Sequence, residues 1–155
     1  MSAVNREQLL SRIGREWQRL AQSYEGMSGE ALLEPGVVGE WSIKDVLGHV
    51  ATWEEESMMA LTLIMQGKQP VRYSRYGGID AFNERQWQRQ RTMPLQEVHR
   101  WFLKTHERLL AFLNAVPQHH YMTETRFRRR LRLDTYSHYA EHGRQVAAWR
   151  QATGF

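Results

Sequence analysis

Apolar side chains recur at steps of three and four along most of the chain, with charged residues between them. That is the period of a helix burying one face. Val4, Leu9, Leu10, Ile13, Trp17, Leu20 and Tyr24 predict a first helix over residues 3–25, with Ser2 as its N-cap and Gly26 as its stop. Residues 27–41 form a connector punctuated by Pro35, Gly36 and Gly39, with one short helical turn near Ser28–Leu33. Ser42 caps a second helix, and Asp45 sits in its first turn, where a carboxylate suits the helix dipole. Its buried stripe is Ile43, Val46, Leu47, Val50, Trp53, Leu61, Ile64 and Met65, and Gly67 and Pro70 end it. A loop over residues 67–78 leads to a shorter helix, about Ile79 to Arg91. Pro94, with Thr92 before it, opens a third long helix with the stripe Leu95, Val98, Phe102, Leu109, Leu113 and Val116, closed by Pro117. Gln118–Leu133 reads as an irregular basic connection, with a brief strand-like alternation in Phe127–Leu133. Asp134 reads as the cap of a last long helix running to about Gln151.

Four long amphipathic helices make the fold class all-α. The economical packing is an antiparallel four-helix bundle, with an extra short helix between the second and third long ones. The 155 residues are expected to form one domain, 1–155. Zero cysteines exclude disulfides and thiolate ligands, so a metal site must use nitrogen and oxygen donors. No run is apolar enough to span a bilayer, and the charged stretch Met1–Leu20 does not read as a signal peptide, so a cytoplasmic protein is expected. The formal charge of +4 permits an anionic partner without identifying one.

The candidate chemistry lies in histidine. His138 and His142 are four apart on the last helix, which puts both on one face within reach of a single ion. His49, at the edge of the second helix's apolar stripe, is a third. Three neutral imidazoles suit a first-row divalent metal and leave a position open for water or substrate. His138-Tyr139-Ala140-Glu141-His142 also matches the H-x-x-E-H pattern of inverted zinc peptidases. Those enzymes need a further ligand well downstream, and Glu141 lies about 100° around the helix from His142, so that reading is rejected. His99 and His106 are read as surface or packing residues, and the adjacent His119 and His120 as pointing apart.

Two further groups stand out. Glu56 and Glu141 are candidate proton-transfer groups beside the histidines, against the plainer reading of solvated helix charges. The run Arg126–Arg132, Arg128 and Arg130 included, could pair with the carboxylates of a cofactor or substrate, bind phosphates, or form a solvated connector. Nucleic acid is set aside as a partner, because no recognised DNA-binding motif is present and the charge is modest. Of the aromatic residues, the loop tyrosines Tyr73 and Tyr76 are singled out as candidates for the mouth of a substrate pocket.

The stretch Gly39-Glu40-Trp41-Ser42-Ile43-Lys44-Asp45-Val46-Leu47-Gly48-His49 resembles the second-helix signature of the DinB/YfiT-like superfamily. Tyr136-Ser137-His138-Tyr139-Ala140-Glu141-His142 resembles its fourth-helix metal motif, and Phe82-Asn83-Glu84 with Met93-Pro94-Leu95 its middle region. The connector Glu34–Ser42 is similar to the neighbouring ClbS-like branch, whose members open an electrophilic cyclopropane. The resemblance implies a four-helix bundle, a homodimer, and nickel or zinc held by His49, His138 and His142. It further implies an enzyme acting on a small electrophilic substrate, of the detoxification or stress type. Such members are transferases or isomerases that use a low-molecular-weight thiol as co-substrate; a metal-bound water made hydroxide would instead give a hydrolase. The alternative is a non-enzymatic dimeric bundle whose metal site is structural or vestigial.

Overall fold

The helices form where the apolar stripes place them, and four of the starts, at Asn5, Ser28, Ser42 and Thr125, carry a side-chain cap. In the computed structural model, which describes residues 5–155, α1 is Arg6–Ser23, α2 Gly29–Leu33, α3 Ile43–Met65, α4 Ile79–Gln90, α5 Leu95–Ala115, α6 Arg126–Asp134 and α7 Tyr136–Thr153. At Ser42 the hydroxyl accepts from the Asp45 amide while the Asp45 carboxylate accepts from the Ser42 amide at 2.9 Å, so two otherwise orphaned donors are satisfied. Asn5 and Gln8 do the same for α1. The cap expected at Ser2 lies outside the described residues; the described cap is Asn5. Gly26, at φ 79°, takes the left-handed turn after α1 that a side chain would resist.

The four long helices α1, α3, α5 and α7 make an all-α bundle in which α1 runs antiparallel to α5 and α3 to α7, while α1 runs parallel to α7 and α3 to α5. The main pairings are α1 against α7 and α3 against α5. Leu9, Ile13, Trp17 and Leu20 of α1 meet Val46, Leu47, Val50 and Leu61 of α3, with Val98, Phe102, Leu109 and Leu113 of α5 and Tyr139 and Val146 of α7. Fully burying one such side chain stabilises the fold by about 1.5–3 kcal/mol. Trp17 stacks on Phe102 at 5.0 Å and on His106 at 4.2 Å, locking α1 to α5. The buried Lys44 ammonium donates to the carbonyls of Arg91 (2.9 Å) and Met93 (2.6 Å), tying the α4–α5 turn to the base of α3. No helix among the described residues is long and apolar enough to cross a membrane.

Four sequence expectations are corrected. The connection over 118–133 is not irregular throughout: Gln118–His120 is a 3-10 turn and Arg126–Asp134 is the helix α6. The alternation in Phe127–Leu133 is not a strand, since Phe127 and Leu131 are buried one helical turn apart while Leu133 is exposed. Asp134 does not cap the last helix. It ends α6, and Thr135, at φ −120° and ψ −102°, makes the break between α6 and α7. His119 and His120 do not point apart either; their ring centroids are 4.1 Å from each other.

Candidate metal centre

Periodicity alone puts His49 on the rim of α3, one step from the buried Val46 and Val50, and puts His138 and His142 one turn apart on α7. The bundle closes these two rims on each other. His138 Nε2 stands 2.9 Å from His49 Nε2 and 3.0 Å from His142 Nε2, and the three rings offer ligand atoms all within 4.8 Å of one another. A single sp2 nitrogen carries either one proton or one in-plane lone pair. His138 Nε2 therefore cannot form two hydrogen bonds at these distances. Three lone pairs turned toward one cation relieve the conflict. Two nitrogens each 2.0–2.1 Å from an ion, at a right angle, stand about 2.9 Å apart.

The surroundings leave the lone pairs on Nε2. His142 Nδ1 is 2.7 Å from the Gln145 carbonyl oxygen, which takes its proton, the outer-shell arrangement that orients a ligating imidazole. His138 Nδ1 is buried without a full hydrogen bond, and the backbone carbonyl of Asp134 is the group favouring a proton there. Burial lowers all three imidazoles, and neighbouring histidines add to it at His49 and His138. His138 falls to about 3, His49 lies well below its usual value, and His142 is lowered. All three are neutral at pH 7 and can ligate without displacing a proton. The donor set thus fits a first-row divalent ion.

The cluster lies at the end of a cleft of about 680 Å³. Trp41 packs on His49 with ring centroids at 4.9 Å, and Trp53 lies beyond at 6.5 Å. The Trp53 indole donates to Asn83 Oδ1 at 2.9 Å, which fixes α4 as one wall. Arg130 forms another. Its Nε is 2.5 Å from Asp134 Oδ2, its Nη2 donates to the Tyr73 hydroxyl at 2.8 Å, and its guanidinium sits over the Trp53 and Tyr73 rings. Burial pushes the Asp134 carboxyl up to about 6 against the pull of Arg130. Burial, with Glu56 adding, pushes the Tyr73 hydroxyl up to about 12, and Arg130 opposes it.

The candidate residues thus divide. His49, His138, His142, Tyr73, Arg130 and Glu141 line the cleft. Glu56 does not; its carboxylate accepts from the Tyr73 hydroxyl at 3.0 Å and buttresses that wall from behind. Arg128 is corrected as a pocket residue. It points away from the histidines into a second cleft beside α1, because residues two apart on a helix diverge by about 200°. Tyr76 is also not a lining residue; it packs on Tyr73 and Phe82 under Arg85. Asn83, Asp134 and Gln145 line the cleft and were not anticipated. For Gln145 a signal existed: a carboxamide three residues after a histidine on one helix can reach its ring.

A buried network was not anticipated. The Glu54 carboxylate, fully enclosed, accepts from His106 Nδ1 and from the Tyr139 hydroxyl, each at 2.9 Å. Burial raises Glu54, and those two donors pull it back. His106 is thus the packing residue expected of it, but with a carboxylate partner.

The DinB superfamily model matches residues 12–145. Curated proteins give no match. Among solved structures, the fold is similar to the colibactin self-resistance protein ClbS in complex with a dsDNA (12% identity, TM-score 0.77, covering 95% of this chain and 96% of that one). It is also similar to DfsB, a sibling lethal factor precursor (12%, TM-score 0.81, 97% of each). A third is an uncharacterised protein from Escherichia coli UTI89 (12%, TM-score 0.79, 99% of this chain and 97% of that one). At such identities the likeness is one of fold. It nonetheless corrects the setting-aside of nucleic acid: a recognised DNA-binding motif is not required, since ClbS has this fold and its structure is of a dsDNA complex.

Proposed function

The chain belongs to the DinB superfamily, and we propose that it is a metal-dependent enzyme in which His49, His138 and His142 hold a divalent ion, nickel or zinc. The observation that carries this is the double approach to His138 Nε2, which hydrogen bonding cannot satisfy. All three donors are neutral, so the ion's charge is left uncompensated and favours an anion at its open position. Bound there, the ion would hold an external thiol as thiolate or a water as hydroxide.

The residues around the histidines favour the thiol route. Asp134 is engaged by Arg130, Glu56 by Tyr73, and Glu141 stands exposed at the rim. No carboxylate among them is free and enclosed beside the histidines to serve as general base, and a thiolate attack needs none. Trp41, Trp53, Val38 and Ile79 give the cleft an apolar lining suited to a small electrophile and shield the reacting atoms from water. The reaction we assign is transfer of a low-molecular-weight thiol to such an electrophile, with no cysteine of the chain taking part. The thiol would release its proton to solvent. Its sulfur would form a bond to the electrophilic carbon as that carbon's bond to the leaving group breaks, and the leaving group would take a proton from water.

The test is metal content after purification without a histidine tag or chelator, followed by turnover of a generic electrophile with and without added thiol. Thiol-dependent turnover, abolished by chelation and by His142→Ala, supports the transferase. Turnover without thiol that is lost on chelation would make it a hydrolase. A metal-loaded protein inactive in both assays would leave a structural ion.

A further inference from the structure

The modest net charge conceals a segregation. Helices α1, α6 and α7 hold eleven arginines against four acidic residues, while the rest of the chain holds ten basic residues against thirteen acidic ones. The three helices are contiguous in the fold, α7 packing on both α1 and α6. Their cations do not all reach outward. Arg6 and Arg150 are tied to backbone carbonyls, and Arg130 is tied to Asp134 in the metal cleft. Arg126 donates to Gln69 and Arg132 faces Glu124, and five of the others gather along the α1–α7 seam. Arg12, Arg15 and Arg128 line a cleft of about 520 Å³ with Glu7, and Arg12 lies over the Tyr136 ring at 4.2 Å. Arg19 and Arg144 line an adjoining groove of about 490 Å³, where Glu16 pairs with Arg19. Arg129 and Arg144 are exposed and make no side-chain hydrogen bond or ion pair among the described residues.

We propose that this arginine face of α1, α6 and α7 binds the phosphodiester backbone of double-stranded nucleic acid without reading its sequence. The guanidinium fork matches phosphate oxygens bidentately, where a lysine offers a point charge. Arg12 and Arg19 are seven residues apart, about 10 Å along the helix. Duplex DNA presents a charge every ~1.7 Å of its axis, so one helix face meets several phosphates at once. Single strands are held by exposed aromatic platforms, and the aromatic residue lining this cleft, Tyr136, is buried beneath Arg12. A membrane surface calls for apolar residues beside the cations. Large exposed apolar side chains are absent from the described parts of α1 and α7, and the one on α6, Leu133, lines the metal cleft on the far side. Arg128 and Tyr136 face the duplex site while Arg130 and His138 face the metal, so the wall made by α6 and α7 carries one site on each side.

The test is fluorescence anisotropy of the full chain with a labelled 20-base-pair duplex between 50 and 200 mM NaCl, alongside vesicles containing anionic phospholipid. Three or four phosphate contacts give a slope of log K against log salt of about −3 to −4. Arg15→Gln with Arg144→Gln, both exposed, should flatten the slope by about 2 and weaken binding roughly 50-fold at 0.1 M salt. Arg100→Gln on α5 and His142→Ala across the wall should bind as the wild type does. The proposal is overturned if the duplex does not bind at 50 mM salt, if the double variant binds like wild type, if Arg100→Gln loses as much, or if only the vesicles bind.

Discussion

Removing His142 should abolish metal-linked stabilisation without abolishing the fold. His142 is one of three imidazoles whose Nε2 atoms crowd to 2.9 and 3.0 Å around His138, and its orientation is held by Gln145 at 2.7 Å. With the free ion at about 100 times its Kd, binding to the folded chain stabilises it by about 2.7 kcal/mol. Unfolding entropy near 2.1 cal/mol/K per residue gives about 0.33 kcal/mol per degree for 155 residues, so Tm should rise by about 8 °C. Loss of an outer-shell partner alone weakens metal binding about 10–100-fold, and loss of a ligand costs at least the upper figure. At the same ion concentration His142→Ala is then at most half occupied, which leaves about 0.4 kcal/mol and a shift of roughly 1 °C. The assay is a thermal melt of chelator-treated, dialysed protein with and without Zn2+ or Ni2+. The quantity compared is the metal-induced shift, which cancels any packing cost of the truncation. Equal shifts in the two proteins, or no shift in the wild type, would refute the three-imidazole site.

Other predictions rest on single features. Each of His49, His138 and His142 is protonated in the unfolded chain below about 6.5 but resists protonation when folded, His138 down to about 3. Acid therefore stabilises the unfolded state, and the metal-free protein should lose stability as pH falls from 6.5 toward 3, with no contribution from these groups above pH 7.5. His138→Gln should shrink that pH dependence in urea melts, and an unchanged slope would contradict the burial assigned to His138. Glu54→Ala strands the buried His106 and Tyr139 donors and should cost about 3–5 kcal/mol in chemical denaturation; a loss under 1 kcal/mol would mean that water replaces the carboxylate. Lys44→Met leaves the Arg91 and Met93 carbonyls unpaired and should cost about 1–3 kcal/mol, read by the same method.

How much of this was legible depends on whether the signal was local. The caps at Ser42 and Asp45, the stripes of the four long helices and the His138–His142 spacing are short-range patterns, and they survive folding unchanged. His49 could be placed on a rim by periodicity, which made it a candidate third ligand, and the resemblance to the superfamily supported its pairing with α7. Glu54 carried a local signal that the charge run hid: four residues after Val50 and seven before Leu61, it lies at the centre of the α3 stripe, while Glu55 and Glu56 lie about 100° and 200° further round. What no local pattern encodes is its partners, His106 and Tyr139, which depend on how α5 and α7 meet α3. Arg128 and Arg130 likewise read as one group in the sequence, although two residues of separation send them to opposite faces.

The helix α6 shows a different kind of failure, and it bears on the site. Phe127 and Leu131 are four apart, a step that satisfies both the strand period of two and the helix period near 3.6. Only the exposure of Leu133 separates the two, and exposure is not in the sequence. The break after α6 is also unmarked by glycine or proline: Thr135 makes it, its hydroxyl donating to the Leu131 carbonyl at 2.5 Å while its own carbonyl accepts from Tyr139 at 2.8 Å. Backbone hydrogen bonding thus passes through the bend, and the chain redirects without stranding a polar group. Because α6 stays helical up to that bend, Arg130 and Asp134 stand one turn apart and close into an ion pair beside His138. An extended segment there would have placed them on a common edge about 13 Å apart, with no wall for the cleft. The geometry that makes the metal site a pocket therefore originates in the segment whose pattern was ambiguous.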